Sequence, residues 1–343
     1  MNPKLSICIP TYNRKNYLDN CLKAISNAGF PLEDQVEICI SDNHSTDGTE
    51  SMLSKYSAIN GLISSRNSGN LGSSANILKV VSMARGEYVW IIGDDDLILP
   101  GALSYFFDLV KKYGNLDFYF INAYTLDRKN KPDQIGGIDL SRMPRDVNKF
   151  SKLENTFTCK FFDLINPKVS FDFLGGIYLG IFKRRLWEQN LHVINIKDLT
   201  SHSHLEIFET TFPHIKIYAS AFRDSRALFI HEPLLVSLSG AQEWAPSWPL
   251  VKSIRIIEAL KCYRNSGMNF FQYLKCMNFA HNTFAPDYIK MVLNPTATGG
   301  NYANLTKSIA IAVIFPGFYG SILNSCKNIC KKYLIKLIKY LGY

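Results

Sequence analysis

The 343-residue sequence lacks a long apolar run at its start and lacks any cysteine pattern typical of a metal site or a disulfide framework. Its first ten residues hold one five-residue apolar run that ends at Pro10, which is too short for the core of a signal peptide. The eight cysteines are scattered, and Cys326 and Cys330 have no second ligand pair at zinc-site spacing. We therefore expect no secretion signal, no zinc site and a reducing cytoplasmic location.

Two common phosphate-binding patterns are also missing. Residues 66–76 contain Gly69 and Gly72, but these glycines match neither the dinucleotide fingerprint nor the P-loop. No recognisable nucleic-acid-binding module is present, and only a basic tail favours such a partner. We therefore expect no nucleic-acid partner.

Positive charge is concentrated at the C-terminal end of the chain. The formal net charge is +9, yet residues 251–343 alone carry twelve Lys and Arg against Glu258 and Asp287, which is +10. The remainder of the chain is close to neutral, at about −1. Attraction to an acidic surface is therefore expected of the C-terminal part alone.

Short apolar runs alternate with longer segments of helical spacing through the first 120 residues. The runs have few polar interruptions, as in strands of a sheet that is covered on both faces. The pattern predicts an α/β fold with a mostly parallel sheet flanked by helices. The predicted strands are residues 5–9, 36–40, 62–64, 88–92 and 118–121, and the predicted helices are 15–28, 46–56, 73–84 and 100–113.

The pattern is weaker after residue 127 and becomes helical and basic near the end. A polar, lid-like insertion is predicted over residues 127–166, and an apolar segment follows it. Helices are predicted at 184–189 and 203–212, and two further strands at 227–230 and 234–238. The sequence thus predicts a catalytic domain over residues 1–245 and a helical C-terminal appendage over 246–343.

Polar clusters follow four of the predicted strands directly. Because the carboxyl ends of parallel strands meet at one edge of a sheet, we expect a single polar cleft there. The clusters are Pro10 to Arg14, Ser41 to Asn43, Arg66 to Asn76, and Gly93 to Asp96.

The triplet Asp94-Asp95-Asp96 follows an apolar strand, and three adjacent carboxylates repel one another unless they are solvated or hold a cation. A solvated turn is the alternative to a metal site. Carboxylates together with a diphosphate are a common arrangement for Mg²⁺ or Mn²⁺. Asp42 is either a turn residue or an acceptor for a nucleotide base or ribose.

These residues resemble glycosyltransferase family 2, whose members are inverting enzymes with the A-type nucleotide-sugar-binding fold. The similarity covers roughly residues 4–240, and within the family the chain is similar to the abequosyltransferase type that decorates bacterial O-antigen repeat units. The motifs that carry it are Ser6 to Arg14, Ile40 to Thr49, Asn70-Leu71-Gly72, and Ala84 to Tyr88 leading into the acidic triplet.

The resemblance implies a nucleotide-sugar donor and assigns site residues. The expected nucleotide-sugar contacts are Pro10, Thr11, Asn13, Arg14, Asp42, Asn70 and Asp94. The family's metal motif is usually Asp-x-Asp, and here Gly93 stands in place of the first Asp. Asp95 is then the matching ligand for Mg²⁺ or Mn²⁺, with Asp96 as a second ligand.

A general base is expected from the segment of residues 195–209. It offers Asp198, His204 and Glu206 rather than the family's usual acidic pair. His204 is the first choice because a neutral imidazole titrates near the operating pH, although a lone histidine is often structural.

The predicted activity is transfer of a sugar to a saccharide acceptor carried on a polyprenyl pyrophosphate. The alternatives are a catalytically degenerate nucleotide-sugar-binding protein, which the Gly93 substitution favours, and a pyrophosphorylase, which would need an absent glycine-rich loop. The loop at residues 239–244 is predicted to close over the donor.

The C-terminal region is predicted to bind the inner face of an anionic membrane without crossing it. Residues 309–323 are apolar, but they are fewer than the roughly 20 that a spanning helix needs, and Pro316 interrupts them. Lysines then recur on one helical face and leucines on another, which is the pattern of an interfacial helix.

Overall fold

The structure is a computed structural model that describes residues 2–28, 35–114, 116–127, 147–240 and 244–340, without the side chains of 329, 330 and 332–340. The chain divides into two compact units, Met1–Glu243 and Trp244–Tyr343, and each is described by itself.

The described part of the first unit contains one mixed sheet of ten strands. The strands are β1 Leu5–Thr11, β2 Val36–Asp42, β3 Leu62–Arg66, β4 Tyr88–Ile91, β5 Leu97–Ile98, β6 Phe118–Asp127, β7 Asn148–Lys149, β8 Phe157–Lys160, β9 Gly180–Lys183 and β10 Arg226–Ser239. Their principal order in the sheet is β3-β2-β1-β4-β9-β6-β10-β5, while β7 pairs with β6 and β8 pairs with β10.

The first four principal strands form the parallel half of this sheet. Strand β1 pairs in parallel with β2 on one side and with β4 on the other, and β2 pairs in parallel with β3. Every residue of β2 and β4 is buried, as expected for strands covered on both faces. The predicted strands in this half are confirmed.

The other half differs from the predicted parallel arrangement. Strand β9 lies between β4 and β6 and is antiparallel to both. The two strands predicted at 227–230 and 234–238 are one strand, β10, which pairs in parallel with β6. Its register shifts on both sides of Pro233, because proline has no N–H for the ladder and is tolerated in a strand only at such irregularities.

The structure has helices at the predicted positions 15–28, 46–56, 73–84, 100–113 and 184–189, and two further helices, at Ile196–Ser201 and Pro213–Ala221, were not predicted. The predicted helix at 203–212 is wrong, because Leu205 has a φ of 69°, which interrupts a right-handed helix. Only a short helix remains there. The helices are α1 Lys15–Ser26, α2 Thr49–Leu53, α3 Ser73–Ser82, α4 Ala102–Tyr113, α5 Arg184–Gln189, α6 Ile196–Ser201, α7 Phe208–Thr211 and α8 Pro213–Ala221.

The second unit is helical in its described part. Its α-helices are α9 Trp248–Leu250, α10 Ile256–Asn265, α11 Phe270–Ala280, α12 Phe284–Leu293, α13 Pro295–Thr298, α14 Leu305–Ala312 and α15 Pro316–Tyr340. No single helix in the described ranges is long and apolar enough to cross a membrane. The bent pair Leu305–Ala312 and Pro316–Asn328, which meet at 100°, passes that test by length and composition together.

Candidate functional site

The polar clusters that follow β1, β2 and β3 lie at the same edge of the sheet. Thr11 at the end of β1 is in register with Asp42 at the end of β2, which is in register with Arg66 at the end of β3. Strand β4 runs parallel to β1, so the acidic triplet emerges at this edge as well. The sheet therefore gathers the predicted clusters along one rim.

Arg14 bridges two carboxylates of the acidic triplet. Its Nε donates to Asp94 Oδ1 at 2.8 Å, and its Nη2 donates to Asp95 Oδ2 at 2.7 Å. The hydroxyl of Thr11 donates to the other oxygen of Asp94 at 2.7 Å. The guanidinium also lies 4.3 Å from the ring centroid of Tyr17. The end of β1 and the end of β4 are thus joined through charged hydrogen bonds.

Burial and mutual repulsion raise the pKa values of two carboxyls of the triplet. Burial raises the pKa of Asp94 to about 7, and the charge of Asp95 adds to this rise, whereas Arg14 and the Thr11 hydroxyl oppose it. Burial and the charge of Asp95 also raise the pKa of Asp96, against hydrogen bonds from the Gly93 N–H and the Ser237 hydroxyl. This edge of the sheet therefore favours an additional cation.

Gly93, at the position where the resemblance predicts the first Asp of a metal motif, fits closely against the side chains of Asp95 and Asp96. A Cβ at Gly93 would lie 2.6 Å from Asp95 Oδ1 and 3.2 Å from Asp96 Oδ2. The Gly93 N–H donates to Asp96 Oδ2 at 2.8 Å, so Asp96 closes the turn. A side chain at this position requires the acidic turn to rearrange.

The donor set fits a cation shared with a substrate phosphate. Within the described ranges, no three His, Cys, Asp or Glu side chains converge as a metal-binding group. Mg²⁺ is commonly held by one or two carboxylates plus substrate phosphates, with waters completing the octahedron. Asp95 keeps 11 % of its side chain exposed beside the buried Asp94. It can therefore supply the single carboxylate that a cation shared with a substrate phosphate needs.

Asp42 is almost completely buried and has one oxygen without a hydrogen bond. Its Oδ1 accepts from the Ser45 N–H at 2.9 Å. Its Oδ2 lies 3.4 Å from Arg66 Nε, which meets the ion-pair distance, but it accepts no hydrogen bond from the described residues. A buried carboxylate oxygen in this state retains the capacity to accept a hydrogen bond from a ligand.

The loops after β1 and β2 hold each other at the rim. Asn13 adopts a φ of 53°, a left-handed conformation that asparagine tolerates better than most residues. Its N–H donates to Ser45 Oγ at 2.8 Å, and its Oδ1 accepts from the Thr46 N–H at 2.7 Å. Pro10 lies one residue before Thr11 in β1, opposite Ser41 of β2.

A network of asparagine side chains links this rim to α3, and sequence reasoning assigned a role only to Asn70 among them. Asn43 donates to Asn70 Oδ1 at 2.7 Å, while Asn67 donates to Asn43 Oδ1 at 3.1 Å and to Asn76 Oδ1 at 3.0 Å. Asn76 also accepts from the Ser41 hydroxyl at 2.6 Å. The signal in the sequence was the density of asparagines after two adjacent strands.

The predicted base His204 lies against the N-terminus of α3. Its Nδ1 lies 3.1 Å from the Thr210 carbonyl oxygen and 2.9 Å from the Ser73 hydroxyl. A carbonyl can only accept, so Nδ1 carries the proton and Nε2 holds the lone pair of the neutral ring. His204 is exposed as a residue, but partial burial lowers the pKa of its ring, and the bond to Thr210 opposes this shift.

The two acidic alternatives occupy different positions in the same segment. Glu206 accepts from the Ser203 N–H at 2.9 Å and from the Ser203 hydroxyl at 2.7 Å, and these bonds lower the pKa of its carboxyl. Asp198 lies in α6, where its backbone carbonyl accepts from the ring of His202 at 3.0 Å. The Glu206 carboxylate thus accepts hydrogen bonds within its own turn. Residues 241–243 of the predicted loop at 239–244 lie outside the described residues, as does much of the predicted lid.

The family model and the similar proteins point to the same family. Residues 6–169 match the family model described as glycosyl transferase family 2. The abequosyltransferase RfbV of Salmonella typhimurium is 32 % identical over 244 residues, which are 68 % of this chain and 66 % of that protein. A Campylobacter jejuni GalNAc(5)-diNAcBac-PP-undecaprenol beta-1,3-glucosyltransferase is 27 % identical over 53 % of this chain and 61 % of that protein. The chain spans about two thirds or less of these relatives.

Two solved structures share the fold. S. aureus TarS 1–349 in complex with UDP has a TM-score of 0.51 and 15 % identity over 90 % of this chain and 91 % of that chain. The mannosyltransferase PcManGT from Pyrobaculum calidifontis in complex with GDP-Man and Mn²⁺ has a TM-score of 0.51 and 16 % identity over 94 % of this chain and 87 % of that chain. At these identities the likeness concerns the fold alone.

Proposed function

Because this chain belongs to glycosyl transferase family 2 and has the A-type fold, we propose that it transfers a sugar from a nucleotide-sugar donor to a saccharide acceptor with inversion at the anomeric carbon. The observation that carries this proposal is the Arg14 bridge between Asp94 and Asp95 at the ligand-binding edge of the sheet. It places one guanidinium among three adjacent carboxylates where a diphosphate and its metal ion would bind.

The nucleotide-sugar contacts are proposed along this rim. Asp42 accepts a base N–H or a ribose hydroxyl at its buried Oδ2, which lacks a hydrogen bond. The hydrogen bond between Thr11 and Asp94 positions both side chains beside the diphosphate, and Arg14 supplies a positive charge there. Pro10, Asn13 and Asn70 shape the loops that close around the nucleoside.

The proposed metal ligand is Asp95, with Asp94 beside it and Asp96 as the member that closes the turn. When bound, Mg²⁺ or Mn²⁺ supplies positive charge against the leaving diphosphate. Arg14 contributes to the same neutralisation from the protein side. The relative bound to GDP-Man and Mn²⁺ has the same fold, which supports a divalent ion in this one.

In the proposed reaction, His204 Nε2 takes the proton from the acceptor hydroxyl. The acceptor oxygen forms a bond to the anomeric carbon, while the bond from that carbon to the phosphate oxygen breaks and its electrons leave with the nucleoside diphosphate. The Thr210 carbonyl accepts a hydrogen bond from Nδ1–H, which leaves Nε2 as the nitrogen that takes the proton. Asp198 and Glu206 are the alternative bases.

The acceptor is proposed to be a saccharide on a polyprenyl pyrophosphate at an anionic membrane surface. The C. jejuni relative acts on an undecaprenol-linked saccharide by its name, which supports a lipid carrier. The second unit carries +10 and exposes several apolar side chains, which favours peripheral contact with anionic lipid.

The test is a panel of nucleotide-sugar donors incubated with purified protein, Mg²⁺ or Mn²⁺, and a lipid-linked saccharide acceptor. We expect one donor to release nucleoside diphosphate, the acceptor to increase the rate, and chelation of the metal by EDTA to reduce it to background. NMR of the product should show an inverted anomeric configuration. Donor binding without turnover would identify a degenerate nucleotide-sugar-binding protein and contradict the proposal.

A further inference from the structure

The second unit contains a cavity that the proposed transfer reaction does not use. It lies between α10 with the turn before it and the N-terminal part of α14, and it holds about 200 Å³. Its lining includes Ile254, Ile257, Lys261, Tyr302, Lys307 and Ile311. The volume is below the about 300–1,000 Å³ of pockets that hold drug-sized ligands, so the cavity suits a compact group rather than a nucleotide sugar.

Two lysines, Lys261 and Lys307, line this cavity. No carboxylate of the described residues lies within salt-bridge distance of Lys261 or Lys307. Glu258 lines the cavity too, but its carboxylate pairs with Arg255 Nη1 at 2.8 Å. Burial lowers the pKa of Lys261; Glu258 opposes this, and the charge of Lys307 lowers the pKa further. A bound anion would relieve the repulsion between the two lysines.

The N-terminus of α14 lies at the same cavity, since Asn304 and Lys307 both line it. Asn304 caps α14, and its Oδ1 accepts from the Lys307 N–H at 2.9 Å. The positive end of the α14 dipole therefore lies beside the cavity, and anions are stabilised at such a position. Cavity, lysine pair and helix end all favour a phosphate group.

The apolar side chains in the cavity wall favour a ligand that also has an apolar part. Ile254, Ile257 and Ile311 form an apolar side, and one turn beyond Ile311 the chain exposes 72 % of Ile314 and 41 % of Val313. A free phosphate gains nothing from these side chains, whereas the chain of a lipid buries apolar surface against them. The combination therefore favours a phosphate that is attached to a hydrocarbon chain.

We propose that the cavity between α10 and α14 binds the phosphate or diphosphate headgroup of a lipid, with Lys261 and Lys307 as its cationic contacts. This rests on the proposed membrane-surface function but concerns a site separate from the nucleotide-sugar rim. Membrane phospholipid and lipid-linked acceptor carry the same headgroup chemistry, and both are sources of the ligand.

The test compares full-length wild type with the double variant Lys261→Gln/Lys307→Gln. The matched control is Lys275→Gln/Lys327→Gln, which removes the same charge from exposed positions of the same unit. Binding is measured by calorimetry with inorganic pyrophosphate, and by co-sedimentation with phosphatidylcholine vesicles that contain either phosphatidylglycerol or polyprenyl diphosphate. We expect the cavity variant to bind pyrophosphate and vesicles at least about tenfold more weakly than wild type, and the control to lose much less.

The outcomes separate the two proposals. A loss confined to polyprenyl diphosphate vesicles identifies the acceptor as the source, and a loss on both vesicle types identifies lipid phosphate generally. Unchanged vesicle binding by the cavity variant, or an equal loss in the control, overturns the cavity site. Donor hydrolysis without acceptor should be the same in all three proteins, and its absence in wild type would instead count against the proposed transferase activity. Circular dichroism checks that the variants fold.

Discussion

At the scale of single residues, Arg14 determines how the acidic edge is arranged. Its two hydrogen bonds neutralise part of the charge of Asp94 and Asp95, and its ring contact with Tyr17 orients the guanidinium. Sequence reasoning named Arg14, Asp94 and Asp95 separately. It missed their pairing because about 80 residues separate them and only the parallel pairing of β1 with β4 brings them together.

The proposed role of His204 leads to a pH-dependent prediction. His204→Ala should lower kcat by roughly two to four orders of magnitude, the usual range for loss of a general base. Since burial lowers the pKa of His204, the wild-type ring stays neutral to lower pH than an ordinary histidine. With donor and metal ion saturating, the acid limb that His204 contributes to kcat should therefore have its midpoint below about pH 6.5, the ordinary histidine value.

The measurement is kcat against pH for wild type, His204→Ala, Asp198→Asn and Glu206→Gln. The acidic variants should retain most of the wild-type rate and its acid limb. If Asp198→Asn or Glu206→Gln shows the large loss and His204→Ala does not, His204 has a structural role.

At the scale of elements, the turn before β4 is fitted tightly against β1. A Cβ at Gly86 would lie 2.7 Å from the Ser6 backbone N and 2.9 Å from the Leu5 carbonyl carbon. The Gly86 N–H donates to Ser6 Oγ at 2.8 Å, and Glu37 of β2 accepts from that same hydroxyl at 2.6 Å. Three segments of the parallel half are thus connected beneath the site.

Gly86→Ala should lower the free energy of unfolding by about 1–3 kcal/mol, because β1 must shift to admit the methyl group. Gly69→Ala is the matched control, since no atom lies within 4 Å of its added Cβ. Urea unfolding of both variants measures the difference. Equal stability of the two variants would show that β1 is not held against this turn.

Local sequence pattern predicted the strands of the parallel half and, in the other half, the positions of β6 and β10, but it did not predict the antiparallel strand β9. Buried strands such as β2 and β4 are continuous apolar runs that can be identified from sequence alone. The insertion of β9 between β4 and β6 depends on pairing between distant segments, and the φ of Leu205 depends on local packing. The asparagine network was missed for the same reason, because amide pairing across loops follows from the tertiary fold.

At the scale of the whole molecule, charge and chemistry are divided between the two units. The first unit is nearly neutral and contains the rim proposed to bind the nucleotide sugar, whereas the second is helical in its described part, carries +10 and has the Lys261–Lys307 cavity. This division fits a catalytic unit that binds a soluble donor and an appendage that binds lipid. The two functions are expected to respond to different substitutions.

We propose that Asp95, at this edge of the sheet, is needed for metal-dependent transfer from a nucleotide sugar. The most direct test is the rate of nucleoside diphosphate release by wild type and by Asp95→Ala, with Mn²⁺ or Mg²⁺ and with EDTA, alongside the unfolding profile of each protein. We predict that Asp95→Ala reduces the metal-dependent rate to background while the protein remains folded, and that Asp94→Ala and Asp96→Ala lose less. A folded Asp95→Ala variant that turns over donor at the wild-type, metal-dependent rate would contradict the account.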